Sequence, residues 1–192
     1  MANCDYKLNT NIAESCENPL VQGMQPIGWI GNYQDLDKAE TVKTKNKITN
    51  LALKDGAKLY RIYQSGKEPY NGSTKEMVVG AFRNNWNKNF RFIVLDSGAD
   101  VSANIIDNLS NGRFFSIVEN NFQGKSGDNA FELIGYEQGI TATAISQDKD
   151  SDDTGGGWVC EMQESLAPSS GVFVVYDSVA TTRQALEALT AN

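Results

Sequence analysis

Hydrophobic and polar positions are unevenly patterned along this chain. Residues 1–26 are polar and Asn-rich without a sustained period, broken at Asn18-Pro19 and Gln25-Pro26. Such a stretch reads as an extended N-terminal arm, a segment that orders by draping over a neighbour. From Ile27 the pattern becomes β. Ile27 to Tyr33 is a short aromatic strand, and Ile48 to Leu53 and Lys58 to Tyr63 flank Lys54-Asp55-Gly56-Ala57. Asp-Gly between two such runs predicts a hairpin. Gln64 to Ser73 holds Gly66, Pro69 and Gly72 and predicts a protruding loop or flap. Met77 to Arg83 and Trp86 to Leu95 follow as strands, the second apolar on both faces at its end, so something should cover it.

A helix is predicted over Asp100 to Ser110, where Val101, Ile105, Ile106 and Leu109 recur at helical spacing. Ser97 or Asp100 stands as its cap and Asn111-Gly112 as its stop, and its apolar stripe should lie across the sheet. Arg113 to Asn120, Ala130 to Gln138, Ile140 to Ser146, Gly157 to Glu164 and Gly171 to Asp177 read as β, and Thr181 to Ala191 as a short amphipathic helix capped by Thr181 or Thr182. Nine or ten strands with one internal and one C-terminal helix predict a mainly β fold with minor α. The expected architecture is an antiparallel β-sandwich or barrel without parallel crossovers, formed by residues 27–192 as one domain behind the arm.

Composition narrows the function. The chain has 192 residues, 40% of them apolar, and no apolar run approaches the roughly 20 residues of a membrane span. The N-terminus lacks the basic start and apolar run of a signal peptide, so assembly in the cytoplasm is expected. Cys4, Cys16 and Cys160 are odd in number and widely spaced, which suits reduced thiols better than a disulfide framework or a four-cysteine metal site. Histidine is absent, and with it the commonest general base, the commonest metal ligand and the third member of most Ser or Cys nucleophile systems. No catalytic, cofactor-binding or metal residue is assigned, and the chain is read as a non-enzyme.

Charge adds an organisational clue. Lys38 to Arg91 carries twelve Lys and Arg against four Asp and Glu, a net of +8, whereas Phe92 to Asn192 carries four against fifteen, a net of −11. Opposite halves give a subunit complementary surfaces for head-to-tail association, unless the signs interleave on folding. Asp148-Lys-Asp150-Ser-Asp152-Asp153-Thr-Gly-Gly-Gly157 places carboxylates at alternate loop positions as a calcium site does, but Asp153 stands where the turn needs Gly and Val159 where a bidentate Glu closes the cage. A solvated hairpin tip is the simpler reading. Gly124-Lys-Ser-Gly127 lacks the spacing of a phosphate loop and reads as a turn. Lys43, Lys45 and Lys47 form a charged strand edge rather than a nucleic-acid patch. Glu132 with Glu137, or Glu161 with Glu164, are the acid pairs available for glycosidase-like chemistry, and Trp29, Trp86 and Trp158 the aromatics available for sugar stacking.

The order of arm, antiparallel strands, loop at Gln64 to Ser73, helix and further strands resembles the tail tube proteins of phages and the inner-tube proteins of contractile injection systems. Asp128-Asn-Ala-Phe-Glu-Leu-Ile-Gly-Tyr-Glu-Gln-Gly-Ile140, the acidic loop, Gly157-Trp-Val-Cys-Glu-Met-Gln-Glu164 and Ala167-Pro168 look like the closing strands of such subunits. The resemblance implies a β-barrel or sandwich subunit that forms hexameric rings stacked into a hollow tube, a virion component assembled in the host cytoplasm. Its partners would be further copies and other tail proteins, with DNA passing an acidic wall without specific binding. Competing expectations are another virion protein, such as a capsid decoration or tail terminator subunit, and a calcium- or carbohydrate-binding β-sandwich module.

Overall fold

The computed structural model describes residues 7–8, 10–13, 15–63 and 72–191. Two sheets face each other as a sandwich, and neither closes into a barrel. Their strands, in chain order, are β1 (Met24–Asn32), β2 (Val42–Thr44), β3 (Lys47–Asn50), β4 (Tyr60–Tyr63), β5 (Gly72–Val78), β6 (Asn85–Val94), β7 (Phe114–Asn120), β8 (Phe131–Ile134), β9 (Thr141–Gln147), β10 (Trp158–Ala167) and β11 (Val172–Val174). The larger sheet runs β2-β3-β11-β8-β7-β1-β4 and the smaller β5-β6-β10-β9. A helix over residues 99–111 (α1) connects β6 to β7, and a second helix (α2, Val179–Ala188) closes the chain.

The period-2 alternation of the central strands sorts their side chains onto two cores. On the outer face of the larger sheet Trp29, Phe115, Ile117, Phe131, Leu133, Val172 and Val174 pack under Leu186 of α2. On its inner face Ile62, Val118 and Ile134 meet Phe90, Phe92, Cys160 and Met162 of the smaller sheet. The central strands are therefore apolar on both faces because both faces are covered. Pro26 lies inside β1 where the β1–β7 register shifts between Met24 and Gly28, a break in the ladder that tolerates a residue without an N–H.

Four expectations are corrected. First, Asp55-Gly56 makes a turn, with Ala57 N donating to Lys54 O at 3.0 Å and Gly56 at φ +77°, but not a hairpin. β3 pairs with β2 and β11, and β4 pairs with β1 at the opposite edge. The connection crosses the outer face, five strand spacings or about 24 Å, and buries Leu51 and Leu59 in the core beneath α2. Crossing removes more apolar surface from water than an isolated hairpin at an edge would. Second, β11 and β3 pair in parallel. They are far apart in sequence, so no short crossover is needed. Third, β5 covers Gly72–Val78, whereas Met77 to Arg83 was expected, and residues 79–84 are the β5–β6 tip. The predicted loop at Gln64 to Ser73 lies outside the described residues except for Gly72 and Ser73, which open β5.

Fourth, α1 does not lie across a sheet face. It closes the gap between the sheets, with Ile106 and Leu109 in the sandwich core and Val101 half-buried, while Ile105 is 40% exposed. The cause is a π segment over Ser102–Ile106, in which Asp107 N donates to Ser102 O. With i→i+5 bonding the residue five places on stacks over Val101, so Ile106 takes the inward position that α-helical spacing assigns to Ile105. Gly98 precedes the helix and no side chain caps it. Ser178, ahead of the expected Thr181, caps α2, its Oγ accepting from Thr181 N at 3.1 Å.

Candidate assembly surfaces

The opposite charges of the two chain segments meet inside the subunit. Among the described residues, five ion pairs join them: Lys43–Glu137 at 2.9 Å, Lys75–Glu132 at 2.5 Å, Lys88–Glu164 at 2.9 Å, Arg91–Glu161 at 3.6 Å, and Arg61–Glu187. Arg183–Glu119 adds a clip between α2 and β7. The interleaved alternative is thus the one the fold adopts for these groups. Lys43 also lies 5.0 Å from the Tyr136 ring, so of the three lysines at β2 and β3 this one is engaged within the chain. Lys45, in the left-handed region at φ +55°, and Lys47 remain exposed at the hairpin turn.

Each of the four candidate acids is ion-paired with a cation from the basic segment. Lys88 and Glu164, opposite each other on β6 and β10, have fully buried side chains. Glu164 also accepts from the backbone N–H groups of Glu137 at 2.9 Å, Gln138 at 3.0 Å and Gly135 at 3.2 Å. It thereby ties the β8–β9 connection to the smaller sheet. Gly135 sits at φ +91°, where an added Cβ would press on backbone at Ile140 and Phe114 at 3.0 Å, so only glycine fits this bend.

Glu132 projects from β8 between the sheets. Burial pushes its carboxyl above the ordinary 4.5, opposed by the neighbouring Lys75 and Lys88. The folded state therefore holds the proton to higher pH than the unfolded chain. This group's contribution to stability falls as pH rises from about 4.5 through the folded value. Wild type should lose stability relative to Glu132→Gln across that window. Urea midpoints of the two proteins at matched pH test this, and a difference that stays constant with pH would contradict it.

The remaining sequence candidates resolve into local structure. Residues 148–157 connect β9 to β10 as a turn, with Asp148 Oδ1 accepting from Asp150 N at 3.1 Å and Asp150, Asp152 and Asp153 exposed. No group of three or more His, Cys, Asp or Glu side chains capable of holding a metal ion occurs among the described residues. Gly124 and Gly127, at φ +76° and +73°, bracket a turn. Trp29 is fully buried in the outer core and unavailable to a sugar, and Trp158 packs against the sandwich core. Burial raises the Cys160 thiol to about 12, which makes it inert. Cys16 is exposed and Cys4 lies outside the described residues. No helix among those residues is long and apolar enough to cross a membrane.

Among the described residues, exposed large apolar side chains gather at two surfaces and along one segment, besides the single positions Val42 and Leu166. The β5–β6 tip exposes Val79 and, fully, Phe82, next to an exposed Met77 near the end of β5. At the other end of β6 lies a cleft of about 800 Å³. Ile30, Phe92 and Val94 line its inner part, and Tyr63, Leu95 and Ile105 its mouth. Tyr63 is 65% and Leu95 53% exposed. The N-terminal segment ahead of β1 carries Leu8, Ile12, Leu20 and Val21, 53–90% exposed. Neither the tip nor the cleft is legible from periodicity, because both depend on where β6 begins and ends. The one sequence signal is the run Val78-Val79-Gly80-Ala81-Phe82, apolar yet broken by Gly. No family model, curated protein or solved structure matches this chain.

Proposed function

We propose that the chain is a non-catalytic structural subunit that assembles into hexameric rings stacked as a hollow tail tube, a conduit for DNA or effector delivery in a phage tail or injection system. On this reading it belongs to a virion assembled in the host cytoplasm, where it contacts further copies and other tail proteins. The observation that carries the proposal is the N-terminal segment, which holds Leu8, Ile12 and Leu20 about four-fifths or more exposed beside a sandwich whose own cores are complete. Large apolar side chains on an extended segment gain most when another surface covers them. The ion pairing within the subunit supports apolar rather than charge-driven contacts. Ring formation should accordingly change little between 0.1 and 1 M salt, conditions that differ about threefold in Debye length.

Negative-stain electron microscopy of the purified protein tests the proposal, with rings and tubes as the expected result. Removing residues 1–20 should abolish tubes while leaving the unfolding midpoint of the sandwich within about 2 °C, since a change below about 0.5 kcal/mol moves the midpoint of a domain this size by no more. A wild-type protein that stays monomeric at high concentration would refute the assembly reading. Closed oligomers of fixed size would favour a capsid decoration or tail terminator subunit.

A further inference from the structure

Resting on that reading, we infer that stacking is a knob-into-hole contact in which the β5–β6 tip of one copy enters the cleft between β4, β6 and α1 of the next. Three observations fit the two features to each other. The tip is apolar and fully exposed at Phe82, flanked by Val79 and Met77, and the cleft offers apolar walls from Ile30, Phe92 and Val94. Residues 79–84 carry one charge, Arg83, whereas residues 96–111 around the cleft's helical wall carry Asp96, Asp100 and Asp107 and no Lys or Arg. Arg61, the charged residue that lines the cleft, is already paired with Glu187, so the charge left for Arg83 to meet is that of the exposed aspartates beside the helical wall.

Position supplies the third. The tip precedes Asn85 and the cleft is lined by Phe92 to Leu95. Knob and hole thus sit at opposite ends of one ten-residue strand, about 30 Å apart at the rise of a β-strand. A subunit with complementary features at opposite ends makes a heterologous contact that repeats along the strand direction instead of closing on itself. One tip is a small contact. In a stacked ring every subunit contributes one, and the layers hold through the sum.

The test uses two full-length variants at exposed positions, Phe82→Asp to blunt the knob and Ile105→Asp to charge the mouth of the hole. Circular dichroism and thermal unfolding of each should match wild type. Each variant alone should stop at a single layer in electron microscopy and sedimentation, with tubes needing at least tenfold more protein. In an equal mixture, the intact hole of the first variant accepts the intact knob of the second. Two-layer particles that grow no further should then appear. Tubes of normal length from either variant, or a mixture no more associated than its components, would overturn the contact while leaving the assembly proposal intact. A wild-type protein that never assembles would overturn both.

Discussion

Replacing Lys88 with Met is expected to cost about 3–5 kcal/mol of stability, the range for breaking a buried ion pair by removing one partner. Both side chains of the Lys88–Glu164 pair are fully buried at 2.9 Å, so the variant leaves a carboxylate without its cation between two sheets. Glu164 is held against relaxing toward water, because its oxygens also accept from the N–H groups of Gly135, Glu137 and Gln138, and moving it would break all three bonds and leave the buried Gly135 donor unpaired. The unfolding midpoint should fall by roughly 10 °C. Glu164→Gln, which keeps an acceptor for some of these donors, should cost less than Glu164→Ala. A loss below about 1 kcal/mol in Lys88→Met would show that the three backbone donors stabilise the carboxylate unaided.

Leu109→Ala should cost about 2–5 kcal/mol, whereas Ile105→Ala, four residues earlier on the same helix, should cost under about 1 kcal/mol. Leu109 is 6% exposed within the core shared with Phe90, Ile134 and Met162, and Ile105 is 40% exposed at the mouth of the cleft. A regular α-helix would bury both, since residues four apart share a face. The contrast therefore reports directly on the π segment. Equal losses in the two variants, measured by urea unfolding, would mean that residues 99–111 wind as an uninterrupted α-helix.

The chain's own pattern determined much of the architecture. Alternation in Trp86 to Leu95 and helical spacing at Ala185, Leu186 and Leu189 place β6 and α2, because side-chain period is a local property of backbone geometry. Phe92 and Ile93 are both buried, but the helix expected to cover the outer side of this strand lies at the gap between the sheets, and Leu95 on that side stays 53% exposed. Partner choice was another matter. Asp55-Gly56 turns the chain as its residues dictate, yet β3 and β4 lie five strands apart because Leu51 and Leu59 are buried better by crossing the sheet. The parallel β11–β3 pair is similarly settled by what lies opposite, and the shift of Ile105 to the surface by the π segment in α1.

Charge shows the division most clearly. From the sequence alone, +8 followed by −11 is compatible both with complementary surfaces for neighbours and with signs that interleave on folding. Tertiary structure brings Lys43, Lys75, Lys88 and Arg91 against Glu137, Glu132, Glu164 and Glu161, because antiparallel pairing and sheet stacking juxtapose residues that are remote along the chain. Coulombic attraction acts through space, over a few ångströms, and linear order says nothing about which cation comes that close to which carboxylate. The Phe82 tip and the cleft at the far end of β6 are known only once the strand has a beginning, an end and neighbours.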